Sequence, residues 1–183
     1  MSVHEYHFLT KWRLEASPEV VYRTLEDVEQ LAVWWPSVYL DVKVLKPGGE
    51  RGIGKEVALY TKGWLPYTLK WQFTVTEAAF PKGYSLRANG DFAGTGTWTF
   101  TPLADGYTEA VYDWRISAEK PILKYLSFLM KPLFSANHHW AMRKGDESLK
   151  LELQRRLNPD RIGQIPGPPP PTFPHNLTNN TVF

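Results

Sequence analysis

Few side chains in this sequence stand where they could do chemistry, and the best placed is a histidine. His138 lies in a helical stretch, on the same stripe as Met142, and Asp146 sits at that stripe's edge. An inward imidazole with a carboxylate or a phenol such as Tyr112 in support has the make-up of a general acid/base group. An inward histidine is equally a normal core residue. His138 is therefore carried forward both as a catalytic candidate, backed by Asp146, and as part of a binding wall. Asp113 and Arg115 share the side of a strand opposite Tyr112 and Trp114, and are read as solvent-facing.

Other chemistries find little footing. His4 and His7 are on opposite sides of a strand, His138 and His139 point about 100° apart on a helix, and no HExxH spacing occurs. No metal and no cofactor are expected. No serine sits in a nucleophile elbow. The stretch GERGIGKE at 49–56 approaches a phosphate loop, but Glu56 stands where Ser or Thr should hold magnesium, and a strand pattern follows. The sequons at Asn176 and Asn179 carry no weight without an export signal.

Composition narrows the class further. There are no cysteines, which excludes disulfides and thiolate chemistry and fits a reducing, cytoplasmic compartment. The net charge of +2 and the dispersed Lys and Arg give no footprint for nucleic acid. The N-terminal MSVHEYHFLTKWR lacks the apolar run of a signal peptide. The most lipophilic run, Ile122 to Phe134, holds two lysines and a proline and is too short to span a bilayer. The chain carries 8 Trp, 9 Tyr and 9 Phe. Such rings can line a pocket or fill a solid core.

The elements that must position these groups follow from periodicity. Residues 5–16 alternate as a half-buried strand, with Tyr6, Phe8, Trp12 and Leu14 on one side. Ser17-Pro18-Glu19 then opens a helix, and a second short turn carries Trp34 and Trp35 and stops at Pro36. From residue 37 to 117 the period is two, broken by Pro47-Gly48-Gly49, Lys62-Gly63, Pro81-Lys82-Gly83 and Asp105-Gly106. The cleanest of these strands sets Tyr67, Leu69, Trp71, Phe73 and Val75 against a polar face. A short apolar helix from Pro121 and a long one of about 25 residues from Pro132 close the fold, the latter roughly 37 Å long. Such a helix must lie across the antiparallel sheet. Its core stripe is Phe134, His138, Met142, Gly145, Leu149, Leu153 and Leu157, with Ala141 at the margin. A thinner outer line of Leu133, Trp140 and Leu151 needs a cover, either the C-terminal tail or a second copy of the chain in a homodimer. Residues 1–160 read as one domain, and residues 161–183 as a Pro-rich tail of polyproline II character.

Three stretches carry a family resemblance: ASPEVVYRTLEDVEQLAVWWP, NGDFAGTGTWTF and NHHWAMRKGDESLK. With the element order, they make residues 3–157 similar to the helix-grip proteins of the START/Bet v 1 superfamily. The nearest likeness is to the bacterial polyketide cyclase/dehydrase or coenzyme-Q-binding-like group. The resemblance implies an α+β fold in which a curved antiparallel sheet of six to seven strands grips the long C-terminal helix over an apolar cavity. It also implies that Trp34, Trp35, Tyr67, Trp71, Trp98, Tyr112, Trp114, Phe134, His138 and Met142 line that cavity. The function expected is binding or transfer of a hydrophobic, ring-containing small molecule. Pro121 to Phe134 would then serve as a lid or touch a membrane surface transiently. The alternative is a cyclase or dehydratase acting on a polyketide-like or cyclic substrate, with His138 as general acid/base. A third reading is an interaction protein working through the Pro-rich arm or the outer Trp140 line.

Overall fold

Alternation along the strands becomes one seven-stranded antiparallel sheet in the computed structural model, which describes residues 5–118 and 121–172. The strands are β1 (Glu5–Leu14), β2 (Tyr39–Lys46), β3 (Glu56–Lys62), β4 (Thr68–Ala79), β5 (Gly83–Gly90), β6 (Phe92–Pro102) and β7 (Thr108–Ala118). Six of them run consecutively from β2 to β7. The first strand closes the far side by pairing with β7, so β1 and β2 are the two edges. The expected inner faces hold. Tyr6, Phe8, Trp12 and Leu14 of β1 and Ala110, Tyr112, Trp114 and Ile116 of β7 are buried together, with Phe8 opposite Trp114 and Thr10 opposite Tyr112. The outer face is polar. Arg115 binds Asp113 through Nε and Nη2 at 2.9 and 3.0 Å, and His7 Nε2 joins them at 3.1 Å.

Two helices, α1 (Pro18–Glu26) and α2 (Leu31–Trp34), fill the connection from β1 to β2. Ser17 stands at the N-cap of α1 as its sequence suggests, but its hydroxyl makes no capping bond there. The third helix, α3 (Pro121–Leu157), is one helix of 37 residues, and this corrects the expected pair of helices. Proline removes one main-chain hydrogen bond and crowds the preceding turn. At Pro132 that cost is absorbed inside the helix and does not end it. Met142, Leu149 and Leu153 are buried along the predicted stripe, whereas Leu157 at its end is exposed. On the far side, Lys144 pairs with Glu147 at 2.7 Å. No helix among the described residues is long and apolar enough to cross a membrane.

Candidate functional site

The interior divides into a filled half and a hollow half. In the filled half Trp12, Trp34, Trp98, Phe100 and Tyr22 pack with Leu14, Leu149 and Leu153, all buried. In the other half the sheet and α3 stand apart around a cavity of about 130 Å³. A dry cavity of about 150 Å³ holds a guest the size of benzene.

The wall is built of rings held by other rings. Tyr112 stacks on its cross-strand neighbour Trp98 at 4.4 Å and on Trp114 of its own strand at 5.5 Å. Trp114 meets Trp71 at 5.7 Å, and Trp71 meets Phe92 at 6.0 Å. The Trp71 indole is fixed further by its Nε1–H, which donates to Thr61 Oγ1 at 3.1 Å. Each such aromatic pair contributes about 0.5–1.5 kcal/mol beyond burial alone. Trp35 forms the partition between the halves. It stacks on Trp34 at 5.7 Å, meets Trp12 edge-on at 5.9 Å, and lines the cavity with its remaining surface. Gly145 lets this indole lie directly on α3, since a Cβ there would collide with the ring.

Among the described side chains, the half-buried rings Tyr67 and Phe134 mark an opening, the mouth, between α3 and the loop from β3 to β4. Tyr67 and Phe134 face each other edge-on at 6.1 Å; both line the cavity and both are only half-buried. The rim beside them is Gly63–Leu65. Asn137 of α3 holds it: its Oδ1 accepts the backbone N–H groups of Trp64 at 2.8 Å and Leu65 at 3.1 Å. Gly63 is required by the same contact, because a Cβ would strike the Asn137 amide.

Apart from Lys62, the polar groups of the wall are held uncharged. Burial pushes the phenols of Tyr39, Tyr67 and Tyr112 above their ordinary range, so they stay protonated. Burial, with His139 beside it, lowers the His138 pKa from 6.5 to about 3. Its ring stacks on Phe8 at 3.9 Å, and Nε2 makes no hydrogen bond among the described residues. The buried Tyr6 hydroxyl and Trp35 Nε1 are likewise without a hydrogen bond. Lys62 is the one ionic side chain on the wall among the described residues.

Of the ten residues expected on the wall, the structure brings together Trp35, Tyr67, Trp71, Tyr112, Trp114, Phe134, His138 and Met142. Trp34 and Trp98 are buried but do not line the cavity; they stack on the wall residues Trp35 and Tyr112. Asp146 is not on the wall. It lies two turns from His138, about 12 Å along the helix, and its Oδ2 binds Lys150 Nζ at 2.7 Å. The structure therefore does not assemble His138 and Asp146 into a pair. Sequence reasoning missed Tyr6 and Phe8 as wall residues, although their side of β1 was marked, and it missed Asn137, Gly63 and Thr61 altogether. The lid expected at Pro121–Phe134 lies largely outside the described side chains, and the sequons at Asn176 and Asn179 lie outside the described residues.

The family model described as polyketide cyclase/dehydrase and lipid transport matches residues 8–154. No curated protein sequence matches the chain. Among solved structures, the Zhui aromatase/cyclase from a Streptomyces species superposes with a TM-score of 0.69 at 17% identity, covering 84% of this chain and 96% of that one. A START superfamily protein from Mycobacterium smegmatis gives 0.57 at 15% identity, covering 78% and 98%. The norcoclaurine synthase of Thalictrum gives 0.54 at 12% identity, covering 81% and 95%. At these identities the likeness is one of fold.

Proposed function

Because this chain belongs to the polyketide cyclase/dehydrase and lipid transport family, we propose that it binds a hydrophobic, ring-containing small molecule between its sheet and α3, for carriage or presentation. The observation that carries this reading is a hollow of about 130 Å³ lined by rings that are themselves held in place by stacking on neighbouring rings. Flat apolar walls with few polar groups suit recognition of a planar guest. By volume the hollow matches a single ring, and a second fused ring would reach toward the half-buried Tyr67 and Phe134.

A catalytic role through His138 has less support. A general acid must hold a proton near working pH, and this imidazole, with its pKa lowered to about 3, is neutral there. Its expected partner Asp146 is engaged by Lys150. Binding is therefore the reading adopted.

The test uses 2-naphthol, an uncharged two-ring fluorophore, titrated into the full chain while its emission and that of the wall tryptophans are followed. Saturable binding is expected. Ala141→Phe, which directs a ring from α3 into the hollow, should abolish binding with the urea midpoint unchanged or raised. Wild-type protein that binds no apolar probe, or an Ala141→Phe variant that binds as well as wild type, would overturn the assignment. Native mass spectrometry of protein taken from its host should in addition show a bound lipophile.

A further inference from the structure

As far as residue 172, the C-terminal arm stays on the domain. After α3 a 3-10 turn, Pro159–Gln164, reverses the chain, and Arg155 Nη2 donates to the Pro166 carbonyl. Six residues later Thr172 Oγ1 reaches the Gly63 carbonyl at 3.5 Å, the long limit of a hydrogen bond. Gly63 is the first residue of the cavity rim, on the strip that Asn137 holds from the helix side. The arm thus joins the C-terminal end of α3 to the mouth of the hollow.

Its geometry is that of a straight strap. From Arg155 back to Asn137 is 18 residues of helix, about 27 Å. From Pro166 to Thr172 is six steps of extended polyproline, about 19 Å, and the long Arg155 side chain accounts for most of the difference. There is little slack. Burial along the arm has a period of three: Ile165, Pro168 and Pro171 are half-buried, with Pro169 beside them, while Pro166, Gly167 and Pro170 are exposed. Three residues per turn is the polyproline II repeat, so one edge of the arm is seated. The outer line of α3 between its two anchors includes Trp140, Lys144 and Leu151, all half-buried. Four consecutive prolines, Pro168 to Pro171, keep the strap stiff at low entropic cost.

We propose that residues Ile165–Thr172 are a clasp on the cavity mouth, which holds the Gly63–Leu65 rim against α3 so that a guest enters or leaves only when the clasp lifts. The proposal rests on the cavity as a binding site for its consequence, but not for its structural content. A rim held by Asn137 from within and by Thr172 from without opens only if both let go. Releasing the outer hold speeds passage in both directions and leaves the walls, and hence the affinity, unchanged.

The experiment has two arms. Hydrogen exchange of the Trp64 and Leu65 amides, which donate to Asn137, reads the rim without any ligand. Stopped-flow mixing with 2-naphthol reads access. In a chain ending at Gln164, exchange at these two amides should rise roughly tenfold, as expected when a local hold of hydrogen-bond size is lost. Association and dissociation of 2-naphthol should rise together, with the equilibrium constant changed less than about twofold. Thr172→Val keeps the prolines and should move both readouts the same way by a smaller factor, which covers the case of a truncated chain that folds poorly. Unchanged exchange in both variants would overturn the clasp. So would a weaker equilibrium constant at an unchanged association rate, since the arm would then be wall and not clasp. If 2-naphthol binds no variant, wild type included, the binding function falls, and the exchange arm alone still decides the clasp.

Discussion

Replacing His138 with phenylalanine separates the ring from its charge. Phenylalanine keeps a face for Phe8, whose centroid is 3.9 Å from the imidazole, and removes a buried nitrogen that makes no hydrogen bond among the described residues. At pH 8 the imidazole is neutral in folded and unfolded chain alike, so proton linkage adds nothing. There the variant should match or exceed wild type, because an unpartnered buried polar group costs about 1–3 kcal/mol. On acidification the two proteins part. The unfolded chain takes up a proton as pH falls through 6.5, while burial and His139 hold the folded chain's uptake off until about pH 3. Wild type thus has its full stability above pH 6.5 and loses it as pH falls through that window. At pH 5 the loss is about 1.36 kcal/mol for each of about 1.5 pH units, or about 2 kcal/mol. The figure hardly changes so long as the folded pKa stays below about 4. Urea unfolding of both proteins at pH 8, 6.5 and 5 measures it, and the other histidines cancel in the difference. The gap should widen in favour of His138→Phe by about 2 kcal/mol between pH 8 and pH 5. A constant gap would mean that the imidazole takes up protons normally in the fold, and the neutral wall on which the binding reading relies would be wrong.

Two further substitutions probe how the hollow is framed. Gly145→Ala places a methyl group against the Trp35 indole and should cost about 1–3 kcal/mol through forced repacking, read as a lower urea midpoint with altered tryptophan emission. Arg156→Ala removes ion pairs to Glu152 at 2.8 Å and Asp27 at 2.9 Å. Arg156 and Asp27 are partly exposed and Glu152 is mostly covered, so the loss should be about 1 kcal/mol; a fall well above that would show that the tie between α3 and the end of α1 is structural.

Much of this architecture was legible because the signals are local. Period-two alternation placed Tyr6, Phe8, Trp71, Tyr112 and Trp114 on the concave side, since a strand's faces are set by parity alone. Parity gives a side and not a depth. Trp34 and Trp98 point inward as expected, yet how deep they lie depends on where α2 and β1 pack across them, and no local pattern reports that. Asn137 was missed for the same reason. A count of 100° per residue sets it well off the Met142 stripe, and it is buried only because Trp64 and Leu65, more than seventy residues away in the chain, fold over it. Asp146 was over-read. Its partner Lys150 stands at i+4, the spacing of a surface pair on a helix, and that local signal outweighed its place at the stripe's edge.

The division of the interior explains how one sheet can be both stable and hollow. A cavity forfeits packing in proportion to its size, of order 24 cal/mol per Å³ in engineered cores, so about 130 Å³ corresponds to about 3 kcal/mol. That is a large part of the net stability of a domain. The chain confines the deficit to one half. Leu149 and Leu153 of α3 are buried in the core with Trp12, Trp34 and Trp98, none of which lines the hollow, while Phe134, His138 and Met142 of the same helix do line it. Trp35, seated on Gly145, stands between them. The wall cannot collapse inward to close the gap, because Tyr112 is stacked between Trp98 and Trp114, and Trp71 is tied to Thr61. A protein with no use for the space could recover that energy by one larger side chain on α3, for instance at Ala141. Rings braced by their neighbours so that they hold a space open, at a cost in stability, are what a standing binding site requires.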